Sequence, residues 1–179
     1  MRPAELNRLF APVMSLPGIG PQIAKLVERA AGPLVVDMLW HLPVGIVDRR
    51  AAPTIGELNP ADWPDQIVTI KARIERHQPG IGRRPSRVMV SDGTGTLTLV
   101  YFNLRGDQMQ RMLPLGAERL ISGRIEYYNG TPQMPHPDHV VAVDAPEQMK
   151  AIEPVYPLTA GLSSRIAARA VAGALERAP

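Results

Sequence analysis

The hydrophobic pattern of the sequence changes its period at Gln66, and this change limits the possible folds more than any other feature. Before it, apolar residues recur at the three- and four-residue spacing of helices. After it, Val68, Ile70, Ala72 and Ile74 alternate with polar residues, as in a strand with one buried face. We therefore expect helices in the first part of the chain and a sheet in the second.

Three short helices are predicted before Gln66. They cover residues 3–13, a stretch that begins at Pro21, and residues 34–42. Gly18 and Gly20 lie in the turn LPGIG (16–20), which resembles the turn of helix-hairpin-helix motifs. Backbone amides at such a turn can hold a phosphate. The alternative is a glycine turn that only packs two helices together.

Five strands are predicted after Gln66, with turns at DGTG (92–95) and NG (129–130). The first begins at Gln66, and the others cover 87–91, 96–102, 120–127 and 139–143. A helix over 105–113 separates the third strand from the fourth. Three strands, a helix and two strands is the order expected of an OB-type barrel, whose open face commonly binds single strands.

These elements predict an α+β fold in three parts. Residues 1–50 form a helical hairpin region, residues 51–145 a five-stranded OB-fold barrel, and residues 146–179 an irregular linker and a C-terminal helix capped by Ser163. The apolar stripe of that helix has no partner after it in the sequence, so we expect further protein to follow. The stripe consists of Ile166, Ala170, Val171, Ala174 and Leu175.

Positive charge is concentrated in one segment, although the whole chain has 20 basic and 17 acidic residues. Between positions 71 and 87 one acid, Glu75, accompanies six cations: Lys71, Arg73, Arg76, Arg83, Arg84 and Arg87. They fall on the outer face of the first strand, in the following loop and on the second strand, where OB-type barrels border their binding groove. This pattern predicts contacts with nucleic-acid phosphates. A solvated surface without a ligand is the alternative.

Other chemistry has little support in the residues. The chain contains no cysteine, and no phosphate-binding loop or nucleophile motif occurs, so we expect no catalytic residue and no ATP hydrolysis here. His136 and His139 are three apart but lack convergent acidic partners, so no metal site is predicted. Phe102 ends the third strand outside its alternating core set. It can stack on a base or pack under the next helix.

Several sequence blocks in a fixed order make the chain resemble the RecG helicase family. They are LPGIG (16–20), DMLWHLP (37–43), DRR (48–50), SDGTG (91–95), YFN (101–103), ISGRI (121–125), QMPHP (133–137), and VYPLT (155–159) followed by GL (161–162). These blocks are distributed over nearly the whole chain, from residue 16 to residue 162.

The resemblance implies the N-terminal OB-type wedge of an ATP-dependent, branched-DNA translocase that acts on replication forks and Holliday junctions in DNA repair and recombination. It implies no cofactor in this fragment, and ATP and Mg²⁺ for two further motor domains. It places a stacking contact at Phe102, beside Asn103, and a second aromatic at Gly106, which has no ring. The implied partners are branched and single-stranded DNA and, in addition, a single-strand DNA-binding protein. The protein would be a monomer in the bacterial cytoplasm, associated with the nucleoid and without membrane contact.

Two other functions fit the same fold. One is an RNA- or transfer-RNA-binding OB module of a synthetase-like enzyme. The other is a protein-interaction domain whose groove holds a peptide. A preference for single-stranded RNA over forked DNA would support the first, and tight peptide binding without DNA competition would support the second.

Overall fold

The computed structural model of the chain describes residues 3–63, 66–102, 104 and 106–179. The chain divides into two units, one made of Met1–Val47 and Glu153–Pro179 and the other of Asp48–Ile152. The first unit is mainly helical and the second is mainly a sheet, in agreement with the change of period at Gln66. In the described part of the chain, every helix is too short or too polar to cross a membrane.

The first unit is built mainly of short helices, and residues at the first turn explain where two of them begin. Helix α1, Pro21–Ala30, has Pro21 at its first position, where proline is tolerated because that amide needs no helical partner. At the start of helix α2, Val35–Trp40, the carboxylate of Asp37 accepts a hydrogen bond of 2.9 Å from the Leu34 amide. The elements of this unit are 3₁₀ turns at Ala4–Phe10 and Val13–Ser15, α1 at Pro21–Ala30, α2 at Val35–Trp40, and the last helix, α4, at Ser164–Leu175.

The apolar stripe of α4 has a partner within the chain, so the expectation of an unpartnered helix is wrong. Ala167, Ala170, Val171 and Ala174 are buried in a core that also contains side chains of α1, α2 and the N-terminal turns. The stripe differs from the expected one at its end, because Leu175 is exposed. Sequence order concealed this packing, since the partners of α4 lie at the opposite end of the chain.

Two short strands were not expected from the sequence. Strand β1 at Gly45–Asp48 pairs with strand β9 at Ile152–Val155. The segment around β9 was predicted to be irregular because it contains several prolines. Backbone hydrogen bonds flank this pairing: the Val44 amide donates to the Val155 carbonyl and the Arg49 amide to the Ala151 carbonyl, each at 2.8 Å.

The second unit contains a sheet of seven strands. They are β2 at Ile67–Gln78, β3 at Ser86–Ser91, β4 at Thr96–Tyr101, β5 at Glu118–Arg124, β6 at Glu126–Tyr128, β7 at Thr131–Pro135 and β8 at His139–Ala142. Their order across the sheet is β6-β7-β4-β3-β2-β5-β8. Helix α3, at Gly106–Met112, lies between β4 and β5 and buries Met109. This agrees with the predicted helix over 105–113.

The predicted alternation of β2 is confirmed from Ile70 to Glu75, whereas Thr69, which was expected to face outward with Lys71 and Arg73, is buried. Val68, Ile70, Ala72 and Ile74 are all buried in the core of the sheet unit. The register of β2 against β3 then shifts between Ile74 and Arg76, a β-bulge with Glu75 as the extra residue. Arg76 lies two residues after the buried Ile74, so a regular strand would turn its side chain inward. The bulge turns it outward instead.

The sheet has seven strands instead of five because of the segment between residues 125 and 135. The predicted Asn129–Gly130 turn is present, and both residues have the positive φ that a tight hairpin requires. Its second arm is β7, which sequence reasoning missed because Pro132 and Pro135 argue against a strand. The strand predicted at 139–143 exists as β8. It pairs with β5 and not with β6, the strand before the Asn129–Gly130 turn.

Candidate nucleic-acid interface

Strand pairing places four of the predicted cations on the outer face of the sheet. Val88 and Val90 are buried, so their neighbours on β3, Arg87 and Met89, point outward. Arg76 is paired with Met89, and Gln78 with Arg87, which puts Arg76 on that same face. Lys71 and Arg73 are exposed residues that alternate with the buried positions of β2, so they share it as well. We call this surface the basic face.

One cross-strand row shows how the basic face continues over neighbouring strands. Met89 is paired with Thr98 on β4, and Thr98 with Gln133 on β7. A guanidinium at Arg76, a thioether, a hydroxyl and an amide therefore lie side by side across four strands. Such a row offers hydrogen bonds and flat contact area, which suits a flexible polar polymer.

The arginines of the basic face differ from its lysine in their pairing. Lys71 Nζ lies 3.2 Å from Glu118 Oε2, in an exposed ion pair. Among the described residues, by contrast, no hydrogen bond or ion pair involves the side chains of Arg73, Arg76, Arg83, Arg84 or Arg87. An unpaired exposed guanidinium can bind a phosphate without first breaking an internal contact.

Positive charge is uneven along the basic face. Lys71 and Arg73 border a depression of about 400 Å³ that is also lined by the carboxylates of Glu75, Asp92 and Glu118. In the sequence no acid lies between Glu75 and Asp92, the stretch that holds Arg76, Arg83, Arg84 and Arg87, although Glu126 on β6 is paired with Gln133 farther across the sheet. The charge available to an anionic ligand is therefore concentrated toward the end of β4 where Phe102 lies.

A buried serine links the arginine loop to the segment that follows Phe102. The Gly80 amide donates a hydrogen bond of 3.0 Å to Ser86 Oγ, and this hydroxyl donates one of 3.1 Å to the Leu104 carbonyl. A Cβ at Gly80 would lie only 2.1 Å from the Arg84 carbonyl oxygen, so only glycine fits there. The loop that carries Arg83 and Arg84 is thus attached to the Phe102 end of the sheet.

Phe102 lies at that end with its side chain 61% exposed. The alternative that it packs under α3 is therefore wrong, and the inward direction expected for Tyr101 is confirmed by its burial in the core. The predicted DNA contact Asn103 lies outside the described residues. Gly106, which has no ring to stack, begins α3.

His136 contacts Phe102, and sequence reasoning missed this contact. The two rings are stacked with centroids 5.3 Å apart and an angle of 24° between their planes. The Phe102 amide also donates a hydrogen bond of 3.3 Å to His136 Nε2. The sequence signal available was the QMPHP block, but its histidine was weighed only as a metal ligand. In the described part of the chain no group of three His, Asp or Glu side chains is placed to hold a metal ion.

The predicted phosphate-binding glycines belong to the first unit, whereas the residues of the basic face belong to the second. Gly18 has φ +73°, and the nearest heavy atom to a Cβ added there would be Arg169 Nη1 of α4, at 2.9 Å. Gly20 precedes α1 as its N-cap, with open space around a Cβ position. The hairpin therefore has the backbone conformation expected from its glycines, and it carries a guanidinium beside it.

Arg49, from the DRR block, is a buried cation that sequence reasoning did not single out. It is 6% exposed, and its Nη1 donates hydrogen bonds to Asp138 Oδ2 at 2.9 Å and to Ser122 Oγ at 3.2 Å. The Thr69 hydroxyl donates to the Arg49 carbonyl at 2.8 Å. This cluster attaches the start of the second unit to β2 and β5, so we assign it a structural role.

The neighbouring residues of the same block form an exposed pair. Arg50 donates hydrogen bonds to both carboxylate oxygens of Asp48, and this contact holds the pKa of Asp48 at about 2. Because Asp48 already neutralises Arg50, the pair adds little positive charge to this part of the surface.

Known proteins show the family to which this architecture belongs. The family model of the RecG wedge domain matches residues 13–176. The ATP-dependent DNA helicase RecG of Escherichia coli (strain K12) is 31% identical over 154 residues, which are 84% of this chain and 22% of that protein. The namesake of Haemophilus influenzae (strain ATCC 51907 / DSM 11121 / KW20 / Rd) is 29% identical over the same shares. The chain thus spans about a fifth of the length of these relatives.

A solved structure shares the fold. A RecG bound to a three-way DNA junction matches with a TM-score of 0.71 and 22% identity, over 88% of this chain and 21% of that chain. The mixed fold of helices and a sheet is therefore similar to part of a solved RecG. Since the family match covers nearly the whole sequence, the chain belongs to the RecG wedge domain family.

Proposed function

We propose that this chain is the branched-DNA-binding wedge of an ATP-dependent DNA helicase that acts in DNA repair and recombination. The observation that carries the proposal is the basic face, where arginines that have no hydrogen bond or ion pair to any described residue lead toward the exposed ring of Phe102. The relatives that share the family are ATP-dependent DNA helicases, and the solved RecG with this fold is bound to a three-way DNA junction.

We propose that the sheet of this wedge, within residues 51–145, is an OB-type barrel. The pairing supports closure: β7 lies parallel to β4 and antiparallel to β6, and only Ile125 separates β6 from β5. One bent strand over β5 and β6 would then join both ends of the sheet, as in a five-stranded barrel with β8 added outside. Residues 1–50 are the helical region with the hairpin, and residues 146–179 lead toward motor domains.

In this proposal the wedge separates strands passively. Motor domains pull the duplex arms, Arg73, Arg76 and Arg87 hold phosphates with Lys71 and the loop arginines Arg83 and Arg84, and Phe102 stacks on the last base at the branch point. Asn103 contacts the same nucleotide. Amides near Gly18 and Gly20 hold a further phosphate. Phosphate contacts carry no sequence information, which suits an activity that must operate at any fork.

The whole protein would need ATP and Mg²⁺ for its motor, while the wedge itself uses neither. We place it in the bacterial cytoplasm, associated with the nucleoid, as a monomer. Its partners are replication forks, Holliday junctions and single-stranded DNA, together with a single-strand DNA-binding protein.

Salt dependence tests this proposal most directly. The purified chain is titrated with a forked DNA and with blunt duplex of equal length at rising salt concentration. We expect a preference for the fork and a steep linear loss of log affinity, because each neutralised phosphate contributes a slope of about −0.7 to −0.9. A flat salt response, or equal affinity for fork and blunt duplex, contradicts the proposal. A preference for single-stranded RNA points to an RNA-binding module instead.

Two variants compare a cation that has no ion pair among the described residues, Arg87, with one that has such a pair, Lys71. Arg87→Ala removes an unpaired guanidinium, so the salt slope should decrease by about one. Lys71→Ala removes a charge that Glu118 already neutralises at 3.2 Å, so the slope should change less. An equal effect of both variants would indicate a general charge effect and not a defined phosphate path.

A further inference from the structure

The contact between Phe102 and His136 is the most specific arrangement outside the core. Phe102 has one face against the imidazole, at a centroid distance of 5.3 Å, while the side chain as a whole stays 61% exposed. The edge of the Tyr101 ring approaches the same imidazole in a T-shaped contact at 6.0 Å. Three rings from two chain segments therefore meet at the end of β4, and most of the surface of Phe102 stays exposed.

The backbone of His136 is strained in a way that places its ring under Phe102. Its φ is +44°, and Asn129 is the one other described residue besides glycines with a positive φ. Such a conformation is uncommon outside glycine, although Asn, Asp and His adopt it more readily than most residues. Two hydrogen bonds hold it: the His136 amide donates to the Val100 carbonyl at 2.8 Å, and Nε2 accepts from the Phe102 amide.

We propose that His136 is a positioning residue for DNA: its ring is the fixed floor of a stack in which Phe102 is the middle layer and a nucleobase covers the other face of Phe102. This inference rests on the proposed function, in which Phe102 stacks on a base. It adds that the affinity of Phe102 for the base depends on a second ring that itself contacts no DNA.

The physical reason is preorganisation. An exposed phenylalanine without a neighbour samples several rotamers, and binding must then restrict it to one. The imidazole of His136 holds the Phe102 ring in one orientation before DNA binds. The hydrogen bond that the Phe102 amide donates to Nε2 fixes the imidazole in turn. Stacked aromatic pairs also gain interaction energy beyond their buried area. Both effects lower the free energy needed to present a flat surface to a base.

Two substitutions separate the ring of His136 from its backbone role. His136→Asn removes the ring but introduces a residue that tolerates positive φ well, so the melting temperature should be retained. His136→Tyr keeps a ring but tolerates positive φ poorly, so it should lower the melting temperature. If the ring is the floor of the stack, Asn should weaken fork binding roughly two- to tenfold and Tyr should weaken it less. A purely structural role predicts the opposite order.

Fork affinity and melting temperature are measured for these variants, for Phe102→Ala, and for the double variant Phe102→Ala/His136→Asn. We expect Phe102→Ala to weaken binding by roughly 5- to 150-fold. The double variant should then bind no more weakly than Phe102→Ala alone, because without the Phe102 ring His136 has no ring to position. Additive losses in the double variant would overturn the inference.

The two proposals fail in distinguishable ways. If Phe102→Ala leaves fork affinity unchanged, stacking at Phe102 is wrong and the inference fails with it. If Phe102→Ala weakens binding but His136→Asn does not, only the role of His136 is wrong. A readout in the free protein is independent of DNA: ring-current NMR shifts of the Phe102 protons should change in His136→Asn and stay closer to the original in His136→Tyr.

Discussion

Two adjacent aromatic residues at the end of β4 have opposite environments. Tyr101 is buried in the core of the sheet unit, whereas Phe102 is largely exposed. In the described part of the chain the hydroxyl of Tyr101 has no hydrogen-bond partner, and burial raises the pKa of this side chain above its ordinary value. Only Phe102 is therefore available to a ligand, although both residues fall within the same YFN block.

This difference gives the first residue-scale prediction. Phe102→Ala should weaken fork binding by about 1–3 kcal/mol and leave the melting temperature nearly unchanged, because little of the ring is buried. Tyr101→Phe is the matched control: it should leave binding unchanged and keep or raise stability, because it removes a buried unpaired hydroxyl. Binding titrations and thermal melts measure both. A collapsed melting transition in Phe102→Ala would instead place Phe102 in the core.

The glycines of the LPGIG turn give a second prediction at this scale. Gly18 has φ +73° and lies against Arg169, so Gly18→Ala should lower the free energy of unfolding by about 1–2 kcal/mol. Gly20 has an ordinary φ and open space around it, so alanine meets no strain there. Alanine is a poorer N-cap than glycine, but it also restricts the unfolded chain, so the net cost of Gly20→Ala should stay below about 1 kcal/mol. Chemical denaturation measures both, and equal losses would contradict the assignment of strain to Gly18.

At the scale of elements, hydrogen bonds to one carboxylate stabilise the turn between β3 and β4. Asp92 Oδ1 accepts from Thr94 N, Thr94 Oγ1 and Gly95 N, and Oδ2 accepts from Ile55 N at 2.7 Å. Partial burial raises the pKa of Asp92, but these hydrogen bonds outweigh that effect and hold the pKa below its ordinary value of 3.8. The SDGTG block thus joins two strands and also binds the 3₁₀ turn at Ile55–Glu57.

The lowered pKa of Asp92 sets the sign of a pH prediction. The carboxylate contributes stability above pH 3.8, and this contribution is lost as the pH falls through the folded-state pKa below that value. Asp92→Ala should lower the free energy of unfolding at neutral pH by about 1–3 kcal/mol. The stability curves of the two proteins should converge below pH 3.8, as measured by denaturation at several pH values. A constant difference across the acid range would contradict this role.

At the scale of the whole molecule, the two ends of the chain form one unit and the middle forms the other. The last helix buries four small side chains, Ala167, Ala170, Val171 and Ala174, among N-terminal residues. Each buried methyl-sized group stabilises the fold by about 0.8 kcal/mol. The helical unit is therefore incomplete without residues from both ends of the sequence.

Removal of residues 163–179 tests this organisation. We expect the amides of α1 and α2 to lose protection from hydrogen exchange, because the apolar residues of their core become exposed. Amides of β2, β3 and β5 should keep their protection, since their core contains no residue of α4. The variant Arg165→Ala, at an exposed position of α4, serves as a full-length control. Loss of protection in the sheet would show that the units do not fold separately.

Local patterns in the sequence were sufficient for much of the fold and of the site. The alternation in β2, the start of α1 at Pro21 and the Asn129–Gly130 turn follow from period and backbone preference within a few residues. The exposure of Arg73 and Arg87 follows from the same alternation, whereas that of Arg76 depends on the β-bulge at Glu75. The ordered blocks from residue 16 onward were sufficient to identify the RecG family.

Other features depended on contacts between residues far apart in sequence. Phe102 and His136 are separated by 34 positions, and Arg49 and Asp138 by 89. The packing of the α4 stripe against N-terminal residues and the pairing of the proline-containing β7 with β4 also depend on such distant contacts. Local preference determines the period and the turns of a segment, but which faces then meet depends on packing across the whole unit. For this reason the sequence indicated which residues are exposed, and only the folded chain showed that Phe102 rests on a second ring.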